Sequence, residues 1–193
     1  MTKWLSHRMV ERGIIKEEEQ ELYQFGIRNG MILLLNVVTA LVIGLLTEQL
    51  AVVAVFTLSF MVLRSYTGGY HSDSRIFCYL GSNLVLLVPV YTQAVFYKTS
   101  LAWLLAVLLV SAGIIFLLSP MHSKNRKLDK KEQKYFGRKA RLIAALELAV
   151  FGILWHAGQI PYAYAVYTGI CITALFMLVG KAQLWIQSHT ENR

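Results

Sequence analysis

The stretch MILLLNVVTALVIGLLTEQLAVVAVFTLSFMVL, residues 31–63, decides the fold class, because Glu48 is its only charged residue. A helix needs about 20 apolar residues to cross a hydrocarbon core of roughly 30 Å. Further runs with at most one charge cover residues 76–97, 99–123 and 142–180. Barrel strands would be shorter and would alternate polar with apolar residues. The sequence therefore predicts an all-α integral membrane protein.

The apolar runs divide into six predicted transmembrane helices. They cover about residues 30–46, 50–63, 76–97, 101–121, 142–157 and 160–180. Pro89 predicts a kink in the third helix, and Pro161 suits the first turn of the sixth. Residues 1–29 predict a cytoplasmic, amphipathic helical segment, and 181–193 a cytoplasmic tail. The chain, 1–193, is thus expected to form one membrane domain, with the six-span bundle at 30–180.

The basic residues predict the orientation. All but Lys98 of the 19 Lys and Arg lie in the two terminal segments or in the connections 64–75 and 122–141. The positive-inside rule then places both termini and both connections in the cytoplasm, in a multi-pass protein of the cell membrane. The net charge of +8 is explained by this topology and by attraction to anionic lipids. Nucleic-acid binding is not expected, because no basic motif with interleaved aromatic residues is present.

Polar and reactive residues are concentrated in GGYHSDSRIFC, residues 68–78. The predicted second helix, 50–63, is only about 21 Å long, so the crossing is expected to continue beyond it. Arg64 would then be buried against protein or would reach the interface. Irregular backbone at this depth survives only where protein or a wet cavity covers it. The position therefore indicates a site at the membrane surface.

His71 and Cys78 are the candidate chemical pair of this stretch. On one continuous helix they would stand about 10.5 Å apart along the axis, so the chain must bend between them. Residues 72–74, Ser-Asp-Ser, favour a helix start just after them. A nearby imidazole, Arg75 and a helix N-terminus would all favour a nucleophilic thiolate. The glycines at 68–69 permit positive φ and close approach of a peptide substrate.

These residues alone leave other classes of protein open. A small transporter or exporter would need polar groups along a midplane path, for which Glu147 is thin support. A scaffold or sensor would tolerate loss of His71 and Cys78. A zinc site is not predicted, because no Cys-x-x-Cys or His-x-x-x-His spacing occurs. Cys171 is expected to be a packing residue, and Glu147 to pair with a basic residue unless it has a catalytic role.

RSYTGGYHSDSRIFC, residues 64–78, resembles the signature of the accessory gene regulator B family. GIIKEEEQELYQFGIRNG, residues 13–30, is similar to the N-terminal region of that family. The six-span plan with a basic connection after the fourth span also fits. The resemblance therefore covers essentially the whole chain.

The resemblance implies a membrane cysteine endopeptidase of a Gram-positive bacterium, which needs no cofactor. Its substrate would be a quorum-sensing precursor peptide of the AgrD type, with an amphipathic leader and an acidic tail. His71 and Cys78 would be catalytic, and Arg64, Gly68 and Gly69 would support them. The implied reaction forms an acyl-thioester on Cys78, which a Cys of the peptide then attacks to close a thiolactone.

The basic stretch SKNRKLDKKEQKYFGRKAR, residues 123–141, is the candidate surface for the acidic tail. Lys130, Lys131 and Lys134 are the predicted tail-binding residues. The alternative is that these charges serve only topology and contact with membrane lipids. The sequence also leaves open a homodimer.

Overall fold

The computed structural model describes residues 2–68, 75–121 and 129–190. In these ranges the chain forms eight α-helices and one 3₁₀ turn, and no strand. The helices are α1 (Thr2–Glu11), α2 (Gln20–Leu46), α3 (Leu50–Thr67), α4 (Arg75–Tyr91), α5 (Gln93–Lys98), α6 (Leu101–Leu118), α7 (Lys130–His156) and α8 (Ile160–Thr190); the 3₁₀ turn, Glu17–Glu19, precedes α2. The predicted all-α class is confirmed.

Five helical segments of the described residues are long and apolar enough to cross a membrane. They are Glu17–Leu46, Leu50–Thr67, Tyr79–Lys98, Leu101–Leu118 and Ile160–Ile186. The predicted membrane protein is confirmed, and so is the extension of the second span beyond Leu63. By this criterion the described residues contain five membrane-spanning helices, one fewer than the six predicted. In α7, residues 142–156 follow Arg141, the last Lys or Arg of the helix. This segment is only about 22 Å long and contains Glu147.

The apolar half of α7 nevertheless packs at the same depth as the spans. Ala144 and Phe151 of α7 belong to one core cluster with Ile115 of α6 and Ile170 of α8. These four side chains are buried. The two long helices α6 and α8 therefore flank residues 142–156. The prediction that both termini share one side of the membrane rests on six crossings and stays a prediction.

The first compact unit, Met1–Thr39, holds α1, the 3₁₀ turn and most of α2. Gly13 turns the chain after α1 with a φ of +66°, a region that glycine adopts readily. The Gln20 side chain lies 3.5 Å from the Ser6 hydroxyl, which joins α2 to α1. The predicted N-terminal helical segment is therefore present, interrupted at Gly13.

The second unit, Ala40–Arg193, is built around α8. This helix contacts α3, α4, α5, α6 and α7. Its Gly169 lies so close to α3 that an added Cβ would be 2.4 Å from the Ser59 hydroxyl oxygen. Small residues at such crossings allow membrane helices to approach closely. The close approach of α8 to α3 thus depends on a glycine.

Two core clusters join the helices of this unit. One cluster joins Val53 near the start of α3 with Leu86 in the second half of α4 and Tyr164 near the start of α8. The other joins Leu63 near the end of α3 with residues of α6 and α8 that include Ile115. Helix α4 therefore runs antiparallel to α3. The end where α3 and α6 finish and α4 and α7 begin is called the motif end below.

The third predicted span is interrupted near Pro89. Helix α4 ends at Tyr91, and α5 resumes at Gln93. The Tyr164 hydroxyl of α8 donates to the Pro89 carbonyl at 2.9 Å and lies 2.6 Å from the Thr92 hydroxyl. The predicted kink is thus seen as a break, at which a side chain of α8 hydrogen-bonds the backbone.

Candidate functional site at the motif end

The structure locates one half of the predicted catalytic pair. Helix α4 begins at Arg75, directly after the Ser-Asp-Ser sequence that predicted its start, and Cys78 is its fourth residue. The backbone of Cys78 therefore lies in the first turn, where helical N–H groups have no intrahelical partner and the helix dipole is positive. His71 and Gly69 lie outside the described residues. The pairing of His71 with the Cys78 thiol stays a prediction.

Arg64 holds the end of α3. Its guanidinium donates from Nη1 to the carbonyl oxygen of Gly68, the residue that ends the helix. The same guanidinium lies 5.7 Å from the ring centre of Phe176 on α8. This half-buried arginine therefore packs against protein, the first of the two expected positions. It connects the helix end that precedes the motif to the central helix.

Gly68 is required by its backbone and by its surroundings. Its φ of +70° is rare for other residues. An added Cβ would lie 2.5 Å from the carbonyl oxygen of Met121, and the Met121 N–H donates to the Thr67 carbonyl at 2.8 Å. At Gly68, the space expected to admit a peptide substrate is filled by the connection after α6.

The basic segment predicted as a connection is helical from Lys130 onward. Asp129 accepts from the Lys130 N–H at 2.7 Å, and the Glu132 carboxylate accepts from the Asp129 N–H at 3.2 Å. This capping box starts α7. The prediction of a loop over residues 122–141 is therefore wrong for residues 130–141, which are helical. The three lysines predicted to bind the tail lie in the first two turns of a helix.

A cleft of about 590 Å³ lies between the start of α7 and the end of α6. Its walls are residues 117–120 together with Lys130, Gln133, Lys134, Gly137, Arg138 and Arg141. Two of the three predicted tail-binding residues, Lys130 and Lys134, line it, whereas Lys131 does not. Arg141 donates to the Phe116 carbonyl at 3.1 Å and so caps the end of α6. This space is called the basic cleft below.

Packing places the basic cleft at the motif end. The rings of Tyr66 on α3 and Phe136 on α7 are 6.1 Å apart. An added Cβ on Gly137 would lie 3.0 Å from Pro120, so α7 sits tightly against the connection that also contacts Gly68. The segment 119–121 therefore touches both the basic cleft and the end of α3. No pattern in the sequence marked Met121 or Pro120 for this position.

Comparison with known proteins identifies the family of the chain. The accessory gene regulator B family profile matches residues 1–178. The chain belongs to the accessory gene regulator B family. It is 26% identical to the accessory gene regulator protein B of Staphylococcus intermedius, over 79% of this chain and 80% of that one. It is 22% identical to an AgrB-like protein of Clostridium perfringens strain SM101, over 74% of this chain and 69% of that one. No solved structure matches.

Family membership and the long apolar helices make the chain a membrane protein of the accessory gene regulator system. Its role is therefore in quorum-sensing peptide processing. This conclusion rests on the family match and does not depend on the role of any single residue. The family match covers the motif, the basic segment and most of α8. The residues that line the motif end are thus all within the matched region.

Inside the bundle, Glu147 of α7 accepts a hydrogen bond of 2.8 Å from the Ser59 hydroxyl of α3. The partner expected for this carboxylate is a basic residue, and the partner shown is a serine. Ser59 is also the residue that Gly169 approaches. This contact joins three helices, and it lies deeper in the bundle than Arg64.

The remaining candidates have structural surroundings. Cys171 is a free, partly buried cysteine on α8, which agrees with a packing role. Within the described parts of the chain, no group of three or more His, Cys, Asp or Glu side chains is placed to hold a metal ion.

Proposed function

We propose that this protein is a membrane cysteine endopeptidase that removes the acidic tail from an AgrD-type precursor peptide. Membership of the accessory gene regulator B family supports a role in peptide processing. The observation that carries the proposal is the position of Cys78 in the first turn of α4, at the end of the bundle where α7 presents its basic cleft. A nucleophile and a surface for an acidic peptide tail then share one end of the molecule.

In the proposed first step, the Cys78 thiolate attacks the carbonyl carbon of the residue at the cleavage site. The new bond is an acyl-thioester, and the C–N bond of the scissile peptide breaks. His71 delivers the proton to the leaving nitrogen, so the tail departs with a free amino group. The start of α4 would favour the thiolate, because the helix dipole is positive at the N-terminus.

In the second step, a cysteine thiol of the bound peptide attacks the acyl-thioester. The carbonyl carbon passes from the Cys78 sulfur to the peptide sulfur, which closes a thiolactone ring and regenerates the Cys78 thiol. One thioester replaces another, so the exchange is nearly balanced in free energy. Holding the two sulfurs together and keeping water out favours ring closure over hydrolysis. No cofactor takes part.

The precursor would be held from both sides of its cleavage site. Its amphipathic leader would lie on the membrane surface. Its acidic tail would enter the basic cleft, where Lys130, Lys134 and Arg138 supply positive charge. Exposed pairs of this kind contribute at most about 1 kcal/mol each, so several are needed. The proposed topology puts this end of the bundle in the cytoplasm, where the precursor is made.

The proposal is tested with the full chain in membranes and a tagged precursor. Cys78→Ala and His71→Ala should each abolish cleavage while the protein still inserts. Cys171→Ala is the matched control, because this cysteine packs against α6 and should leave cleavage intact. Cleavage at the original rate by the Cys78→Ala variant would rule the proposal out. Transport of uncleaved peptide by that variant would instead favour the exporter alternative.

A further inference from the structure

Helix α7 carries a second groove on the face next to the basic cleft. Its volume is about 440 Å³. The lining residues are Lys131, Lys134, Tyr135, Arg138, Lys139 and Leu142. Their spacing puts them on one helix face, and all six are exposed. None of these described lining residues is acidic. This surface is called the outer groove below.

The outer groove lies where α7 passes from the membrane surface into the hydrocarbon core. Arg141 donates to the carbonyls of Phe116, at 3.1 Å, and Ser119, at 3.5 Å. These two residues bracket the last residue of the α6 span, Leu118. The level of Arg141 therefore marks the end of that span. The cations of the outer groove come before Arg141 in the sequence, on the membrane-surface side of this boundary. Leu142 comes after Arg141, on the hydrocarbon side.

Below this level the same face of α7 becomes apolar and remains uncovered. Leu142, Leu146, Val150 and Ile153 follow one another at helical spacing and are all exposed, with Ile153 at 68%. The opposite face of this segment is buried against α6 and α8 through Ala144 and Phe151. One exposed face thus changes from basic to apolar at Leu142.

We propose that the outer groove binds one anionic phospholipid. The phosphate would contact Lys131 and Lys139, the two cations that line this groove and not the basic cleft, and an acyl chain would follow the face that begins at Leu142. The stems of lysine and arginine lie along apolar surface while their charged heads reach polar groups, which suits a site at this boundary. Lys139 already lies 5.9 Å from the Tyr135 ring centre, which limits its freedom.

The shape of the groove favours a lipid over a peptide. The basic cleft is lined by two elements, α7 and residues 117–120, which give an extended peptide two walls to lie between. The outer groove has no backbone segment from another helix among its described lining residues, and it opens onto an apolar face. The proposal does not depend on Cys78 or on peptide cleavage.

The test measures lipid binding to the purified full chain by native mass spectrometry after detergent exchange. Phosphatidylglycerol, phosphatidylcholine and inorganic phosphate are added separately. Lys131→Gln with Lys139→Gln removes two cations that line only the outer groove. Lys130→Gln with Lys181→Gln is the matched control, because it removes the same charge from exposed positions outside that groove. Lys131→Arg with Lys139→Arg keeps the charge and should keep binding.

The wild type and the control should retain phosphatidylglycerol in preference to phosphatidylcholine. The Lys131/Lys139 glutamine variant should bind phosphatidylglycerol roughly tenfold more weakly. Equal binding by that variant and the control would overturn the proposal, and so would equal retention of the two lipids. Inorganic phosphate that binds as strongly as the lipid would identify a simple anion site and would also overturn it.

Discussion

The carbonyl oxygen of Met121 occupies the space that a side chain on residue 68 would need. An added Cβ on Gly68 would lie 2.5 Å from this oxygen, and the Met121 N–H donates to the Thr67 carbonyl. The segment that touches the basic cleft thereby also fixes the helix end from which the chain continues to His71. A glycine of the motif is explained by contact within the protein.

Gly68→Ala should lower stability and cleavage together. The new methyl group meets the Met121 carbonyl, and the φ of +70° is unfavourable for alanine, so a loss of about 1–3 kcal/mol in the free energy of unfolding is expected. Thermal unfolding in detergent and the cleavage rate are measured. Gly113→Ala is the matched control, because an added Cβ there has no neighbour within 4 Å. Wild-type stability of Gly68→Ala would contradict the described contact.

Met121→Pro should reduce cleavage where Met121→Ala does not. Proline removes the N–H that donates to the Thr67 carbonyl at 2.8 Å, whereas alanine keeps it. We expect the proline variant to lower kcat more than it raises KM, because it disturbs the helix end before the motif and leaves the charges of the basic cleft in place. Equal kinetics for the two variants would show that this hydrogen bond does not position the motif.

The charges of the basic cleft should act through substrate binding. Lys130→Gln with Lys134→Gln should raise KM several-fold and leave alkylation of Cys78 unchanged, because each exposed charge pair contributes about 1 kcal/mol or less. Added salt should mimic the double variant. Lys131→Gln with Lys139→Gln is the control of equal charge outside the cleft. An unchanged KM in the Lys130/Lys134 variant would leave these lysines with a topological role only.

The bond between Ser59 and Glu147 should contribute modestly to stability. Ser59→Ala removes the donor, and a loss of about 0.6–1.7 kcal/mol is expected for an interhelical hydrogen bond in a membrane protein. Glu147→Gln keeps an oxygen that accepts from Ser59 and should be milder than Glu147→Ala. Unfolding in mixed detergent micelles measures these differences. Identical stability of the two Glu147 variants would mean that the bond is not formed.

The sequence predicted the features that follow from local pattern. Long uncharged runs predicted the membrane helices, and the Ser-Asp-Ser sequence predicted the start of α4, which the structure shows at Arg75. Local pattern was less reliable in α7. The run after Arg141 holds a single acidic residue and was therefore predicted to be a full span, but only residues 142–156 of this helix follow Arg141. The Asp129–Glu132 capping box is a local sequence signal for the start of α7 within the basic segment.

The contacts that organise the motif end could not be predicted in this way. Met121 reaches Gly68 through its backbone, so its side-chain identity carries no signal. Phe176 lies beside Arg64 only because α8 packs centrally in the bundle. Ser59 reads as an ordinary small polar residue of a span until Glu147 is placed next to it. Each relationship joins distant parts of the chain and depends on tertiary packing.

The central claim is that Cys78 forms an acyl-thioester with the precursor. The most direct measurement uses a precursor whose own ring-forming cysteine is replaced by alanine, so that the second step cannot occur. The chain is mixed with this precursor in liposomes, and the mixture is quenched with acid and digested for mass spectrometry. We predict a peptide adduct on Cys78 that hydroxylamine removes, with none in the Cys78→Ala variant. Release of the tail by the wild type with no adduct, or an adduct on Cys171, would contradict the account.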